Sequence, residues 1–484
     1  MSFFEKHDHL QRPNLWQALI PILFLITLLA LSVYLFHDNS SQGANQIALL
    51  LAAGVAAIIG IRNGFSWKLI EEGIVRGISM SLGAMLILFA VGSLIGSWII
   101  SGVVPTMIYY GMQILSPHWF YLSACTICAI VAISIGSSWT VAGTIGISMM
   151  SVAAGMGLSP EITAGAVISG AYFGDKMSPL SDTTNLAPAV AGTDLFSHIG
   201  HMVWTTTPSL IIAMIIFMFL GFGSQASANT NDINQFLTQL QISFSPNLLL
   251  LLPVVLVFAM AAMKFPAFPT IMIGALVGSL FAVIFQPQHV KALAGIDGGL
   301  GLLKGVWISL FDGFVSKTGV KALDELLSRG GMSSMMTTVW LILTAMTFGA
   351  VMETIGALQK IVDSLLKLVN STSSLITTTI LTCIGMNIIA ADQYIAIVLP
   401  GRMYRAEFKR RKLDPKNLSR TLEDSATLTS ALVPWNTCGA FMAATLGVAT
   451  LSYAPYAFFN WINPIVAIIY GIFNIKIVSL EENA

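Results

Sequence analysis

Charge is what this sequence has least of. Only 10% of its 484 residues are Asp, Glu, Lys or Arg, where soluble domains carry roughly 25%. That shortage excludes an ordinary soluble domain. The formal net charge is zero, so there is no basic footprint for nucleic acid. Cysteine is scarce too: Cys125, Cys128, Cys383 and Cys438 each fall in an apolar run. Cys125 and Cys128 form a C-x-x-C inside FYLSACTICAIVAISI. They read as core packing, because a structural zinc site needs four converging ligands. No nucleophile–base pair, metal-ligand cluster or nucleotide-binding glycine loop is visible. The expectation is therefore no enzyme and no cofactor. The N-terminal MSFFEKHDHLQRP lacks the pattern of a cleaved signal peptide. It reads as a short cytoplasmic tail.

What the chain has in quantity is apolar sequence, 55% of residues. A span needs about 20 apolar residues. The fold class is an all-α polytopic membrane protein with about 11–14 membrane segments. Residues 15–36, 44–61 and 77–100 read as spans, with a charged link at 62–76. Residues 103–115 are short and read as interfacial. Residues 119–135 and 140–157 meet at Gly136-Ser137-Ser138-Trp139. They read either as two spans or as one deep re-entrant hairpin. A broken element covers 161–193, and 202–222 closes the first half.

Residues 224–246 carry no Lys or Arg and read as an external loop between halves. Spans resume at 248–263 and 268–285. The mixed stretch 286–334 holds a candidate interfacial or re-entrant helix at 300–314. A span at 337–356 and an amphipathic segment at 358–369 come next. Spans at 375–391 and 394–403 precede a basic cytoplasmic loop ending at Arg420. A second broken element covers 421–448, and 455–475 is the last span.

Shifting the chain on itself by about 254 residues aligns the halves. Leu86-Ile87-Leu88 meets Leu341-Ile342-Leu343, and Ser181-Asp182-Thr183 meets Trp435-Asn436-Thr437. Transporters are commonly built from such repeats. Placing Lys and Arg inside puts the 62–76 link and the 402–420 cluster on the cytoplasmic side. The halves, 1–223 and 247–484, then run in opposite directions as inverted repeats.

Each half contains a polar break at membrane depth. Irregular backbone survives there only where it is buried in protein or lines a wet cavity. The first break, GAYFGDKMSPLSDTTNLAPAVAGT from Gly170, holds Asp175, Lys176, Ser178, Ser181, Asp182, Thr183, Thr184 and Asn185. Two prolines, Pro179 and Pro188, argue against a regular helix. Hydroxyls, carbonyls and one or two carboxylates suit a desolvated alkali cation. A carboxylate at low dielectric holds a proton more readily, and a bound cation displaces it. That competition is sufficient for exchange. Candidates for cation or proton binding are Asp175, Asp182, Thr183, Thr184, Asn185, Ser178 and Ser181. Ser137 and Ser138 join them from the preceding turn. The second half adds Asn387, Asp392, Glu423, Asp424, Asn436 and Thr437. Ionisable groups at this depth are functional by default. The competing reading for Glu423 and Asp424 is a helix cap beside Arg420. Glu353 reads as snorkelling or capping, and His198 and His201 as surface histidines.

These residues carry a resemblance. GAYFGDKMSPLSDTTNLAPAVAGTDLFSHI, ADQYIAIVLPGRMYRAEF, NLSRTLEDSATLTSALVPWNTCGAFMAATLGV and MIYYGMQIL resemble the NhaC family of sodium/proton antiporters over nearly the whole chain. The wider ion-transporter superfamily has Ser-Asn-Thr-like tips at helix breaks. Asp182-Thr183-Thr184 and Trp435-Asn436-Thr437 are similar to these without matching them strictly. The resemblance implies Na⁺ or Li⁺ exchange for H⁺ in a bacterial inner membrane. It also implies, as the alternative, a coupled carrier of a small organic anion or amino acid, such as malate/lactate exchange. Lys176 and Arg402 would be candidates to receive an organic carboxylate. The expected partners are these ions or solutes, the lipid bilayer and, as often in such carriers, a second copy in a homodimer.

Overall fold

Long apolar runs without water-facing partners must satisfy their backbone internally, and helices are the way to do it. The computed structural model describes residues 11–36, 42–223, 230–263, 265–367 and 369–480. The expected cytoplasmic tail up to residue 10, the loop portion 224–229 and Lys264 lie outside the described residues. Among the described residues, β pairing is confined to two isolated bridges, Phe314–Arg329 and Leu413–Ser479. Eight helices among the described residues are long and apolar enough to cross a membrane, or up to 11 if each of three bent pairs counts as one span. The bends measure 86°, 82° and 88°. The chain is a multi-pass membrane protein.

The helix bounds recur between the halves. Val103–Ile114 follows left-handed Gly102, and Ala357–Leu366 follows left-handed Gly356. Phe120–Ile135 corresponds to Thr372–Ile389, and Asp182–Ala191 to Thr437–Leu446. The last two both end on a left-handed glycine, Gly192 and Gly447. A positive φ costs an L-residue side-chain clash that glycine avoids.

The centre is built by close helix contact. Pro160–Met177 lies against Phe120–Ile135 so tightly that a Cβ on Gly170 would meet the Cys125 carbonyl at 2.1 Å. One on Gly174 would meet Ala132 Cβ at 2.3 Å. Small residues four apart let membrane helices approach this way. The 34-residue Trp67–Ile100 helix packs on Ala267–Phe285 and Met336–Thr354.

Three expectations change. The 224–246 segment holds the helix Thr230–Phe244 rather than a loop. Its end is tied down: Gln286 Nε2 donates to the Phe244 carbonyl at 2.6 Å, and Gln239 Nε2 to that of Thr318 at 3.1 Å. The basic 402–420 run is also not a loop. Gln393–Arg410 stays helical because Glu407 accepts from Arg410 at 2.8 Å and Arg411 at 2.7 Å. The helix resumes at Pro415 and buries Arg420. The first break, finally, is short. Pro160–Met177 and Asp182–Ala191 are regular, and only residues 178–181 are unwound. Pro179 sits in that gap, and Pro188 is tolerated within the short second helix.

Candidate functional site

Four helix N-termini converge on one place. Each begins at a side chain that caps it. Ser137 Oγ accepts from Thr140 N at 3.2 Å. Ser181 Oγ accepts from Thr184 N at 3.4 Å. Asp392 Oδ1 accepts from Ile395 N at 3.0 Å, and Asn436 Oδ1 from Cys438 N at 3.0 Å. The residue before two of these caps is left-handed: Gly136 at φ 75° and Ala391 at φ 57°. Alanine bears strain there, and a backbone bond from Thr437 N to the Ala391 carbonyl, 3.0 Å, holds it.

Between these tips lies a cavity of about 320 Å³. Its walls include Ser137, Ser138, Asp175, Ser181, Asp182 and Thr183 from the first half. Asp392, Thr437 and Cys438 line it from the second. Among the described residues, no Lys, Arg or His lines it. Asp175 is buried, and its Oδ2 accepts from the Ser138 amide at 3.0 Å and the Ser138 hydroxyl at 2.6 Å. Asp182 opens its helix and faces the cavity; Asp392 caps its own. The partial positive charge of helix N-termini offsets such carboxylates. Three acids can therefore share this space with no base to pair them.

Other candidates do different work. Thr184 Oγ1 donates to the Asp175 and Lys176 carbonyls, at 3.2 and 3.0 Å, and closes the end of the first helix. Asn185 Nδ2 donates to the Pro179 and Ser181 carbonyls, at 2.9 and 2.7 Å, and Ser178 Oγ to that of Ile133 at 2.7 Å. These three staple the break and lie off the cavity. Asn387 donates to the Ala426 carbonyl at 2.7 Å, and Asn436 Nδ2 donates to Asn387 Oδ1 at 3.2 Å. That amide pair joins two helices of the second half.

Glu423 and Asp424 are fully buried, and neither side chain caps a helix N-terminus. Both sit in a π-helical turn, Glu423–Thr427. Asp424 Oδ1 accepts from Lys176, from Thr205 Oγ1 at 3.0 Å and from Asn463 Nδ2 at 2.8 Å. Lys176 is thus turned away from the cavity. His198 and His201 are buried against this cluster rather than on the surface. Glu353 lines a second cavity of about 350 Å³ with Arg76, and the two cavities share Met80.

The sequence reading missed Gln393, Tyr394, Trp139 and Cys438 as cavity walls. Cys438 is not in apolar surroundings: its Sγ lies 2.8 Å from Gln393 Oε1. Gln393 was detectable as the polar neighbour of Asp392. Trp139 closes the 136–139 turn, where only the serines read as polar ligands; its ring stacks on Phe441 at 3.9 Å between centroids.

Converging helix tips around an acidic pocket, in a multi-pass membrane protein, are the arrangement that many secondary transporters use at their binding centre. A family model for the Na⁺/H⁺ antiporter family matches residues 170–475, and the chain belongs to that family. It is 40% identical over 433 residues to the Na⁺/H⁺ antiporter NhaC of Alkalihalophilus pseudofirmus, covering 89% of this chain and 91% of the relative. It is 37% identical over 461 residues to the malate-2H⁺/Na⁺-lactate antiporter of Bacillus subtilis, covering 95% and 94%. It is 34% identical over 472 residues to the arginine/ornithine antiporter ArcD of Halobacterium salinarum, covering 97% and 94%. The structure of Neisseria gonorrhoeae MtrF aligns over 97% of both chains at 13% identity and a TM-score of 0.39.

Proposed function

We propose that this protein exchanges Na⁺ or Li⁺ for H⁺ across a bacterial inner membrane. The cation is held in the cavity between the tips, by Asp175 and Asp182 with Asp392 opposite. The observation that carries this reading is the composition of the wall: three carboxylates and, among the described residues, no basic side chain. An organic anion would need an uncapped helix N-terminus or a cation aimed at it. The four N-termini are already capped by Ser137, Ser181, Asp392 and Asn436. Lys176 is engaged by Asp424, and Arg402 is not part of the wall. The same carboxylates take either a proton or the cation, so loading with one expels the other.

The two halves are read as inverted repeats, with the N-terminus and the 402–420 region cytoplasmic. No resident cofactor is assigned. One observation favours a second reading. A cavity of about 320 Å³ falls in the range of small-molecule sites. Its acidic wall selects a cationic solute over malate or lactate.

The test is Asp182→Asn, and separately Asp392→Asn, in proteoliposomes with a pH dye inside. Each variant inserts normally and loses Na⁺-driven proton movement. Exchange at the wild-type rate in Asp182→Asn refutes the site.

A further inference from the structure

Beside the cation cavity runs a second buried polar seam. It follows one face of the helix that begins at Pro415. Arg420, Glu423, Asp424 and Thr427 recur there at spacings of three and four, which places them on one side. Three helices close the seam: Pro160–Met177 with Lys176, Leu195–Gly223 with His198, His201 and Thr205, and Phe458–Ile472 with Asn460 and Asn463. All of these side chains are buried.

The seam is unusual in how many of its polar atoms lack a protein partner. Both Glu423 oxygens, Asp424 Oδ2, Thr427 Oγ1 and Arg420 Nε are buried without one. So are Asn463 Oδ1 and the Nε2 atoms of His198 and His201. Buried polar groups are almost always satisfied, by protein or by internal water. Here acceptors and donors are orphaned side by side: Arg420 Nε lies 3.9 Å from Asp424 Oδ2. That mixture is what bridging water satisfies. A purely structural ion cluster would give Glu423 a donor. Instead, Lys176 is engaged by Asp424 Oδ1.

The seam has two ends. At one, His201 lies within electrostatic range of Arg420, Lys416 and the exposed Lys476. At the other, Glu423 lies within electrostatic range of Lys176 and Asp175, with the hydroxyls of Thr427 and Thr183 next to it. Neither hydroxyl reaches hydrogen-bond geometry with Glu423. Thr183 also lines the cation cavity. A π-turn at Glu423–Thr427 displaces the backbone where the seam meets this wall, and such turns are frequent at functional sites.

We propose that this seam is a water-bridged proton route separate from the path of the cation, with Glu423 as its relay. The inference rests on the antiport reading above. In each hop one O–H bond breaks on the donor and one forms on the acceptor. The Glu423 carboxyl releases its proton to a bridging water, which passes one on, past Thr183, to a cavity carboxylate. That carboxylate, once neutral, releases Na⁺. Glu423 is left as a carboxylate facing the Lys176 ammonium, until a proton from the His201 end restores it. His198, which faces Lys176 and His201, flanks the path.

The test uses the full-length protein in proteoliposomes and two readouts, Na⁺-driven proton flux and ²²Na⁺/Na⁺ self-exchange. Glu423→Gln keeps the shape and cannot relay a proton. Its proton flux falls roughly 100-fold, the scale of a lost proton-transfer group, and self-exchange is retained. Glu423→Asp restores part of the proton flux. Proton flux at the wild-type rate in Glu423→Gln overturns the proposal. So does joint loss of both fluxes in both variants when the purified proteins stay monodisperse, because Glu423 then belongs to cation binding. Wild-type protein that moves no protons on Na⁺ defeats the antiport reading itself, a different failure from either of these.

Discussion

Lys176 donates to Asp424 across 248 positions of sequence, and both side chains are fully buried. The pair joins the two broken helices, one from each half. Removing one partner of a buried ion pair strands the other charge, at a cost of about 3–5 kcal/mol. Lys176→Met alone, or Asp424→Leu alone, therefore lowers the thermal midpoint in detergent sharply. The double variant recovers part of the loss, because neither member of the pair is then left without the other, while buried Arg420, 3.9 Å from Asp424 Oδ2, still loses its acidic neighbour. A double variant as unstable as the singles contradicts this.

Asp175 receives two hydrogen bonds from Ser138, one from the amide and one from the hydroxyl. The hydroxyl bond, at 2.6 Å, aims the carboxylate. A hydrogen bond to a charged group contributes about 1.5–3 kcal/mol. Ser138→Ala raises the Na⁺ concentration for half-maximal exchange by about tenfold or more, since 1.4 kcal/mol is one decade. Asp175→Asn abolishes exchange. An unchanged Na⁺ dependence in Ser138→Ala separates the hydroxyl from the site.

Gly136 has φ 75°, and a Cβ there would sit 2.7 Å from the Leu180 carbonyl carbon and 2.8 Å from Ser181 N. Gly136→Ala thus strains one tip and pushes it off the other. It lowers both stability and exchange. Gly200→Ala is the control, because open space surrounds that position; it leaves both unchanged or slightly raises stability.

In the proposed exchange, proton and cation compete for the same carboxylates, which fixes the sign of the pH effect. As pH falls, more of the sites hold protons, and the apparent Na⁺ affinity on that side falls with it. Half-maximal Na⁺ measured at several external pH values rises toward acid. A pH-independent value contradicts a shared site.

Much of the centre was legible because polar groups are rare at membrane depth. Asp175, Asp182 and Asp392 stood out against apolar neighbours, and all three line one cavity. The two helices that follow the breaks, Asp182–Ala191 and Thr437–Leu446, lie about 254 residues apart, as the shifted sequence expects. What could not be read was the direction of each side chain. Lys176 follows Asp175 directly in sequence, yet one points to the second half and the other to Ser138. Thr184 and Asn185 look like ligands by type, but they satisfy backbone carbonyls at the break. Arg420 reads as the end of a basic surface run, and only its packing shows that it is buried. Trp139, from the turn between two apolar runs, and Tyr394, from a position that hydropathy assigns to a span, both line the cavity.

The most direct measurement is proton flux in proteoliposomes of the purified protein, with a pH dye inside. Na⁺ and Li⁺ are added alone, then malate, lactate and arginine, each with and without Na⁺. The account predicts proton movement on Na⁺ or Li⁺ alone, unchanged by the organic solutes. Silence with the cations alone, and flux only when one organic solute is present, contradicts it.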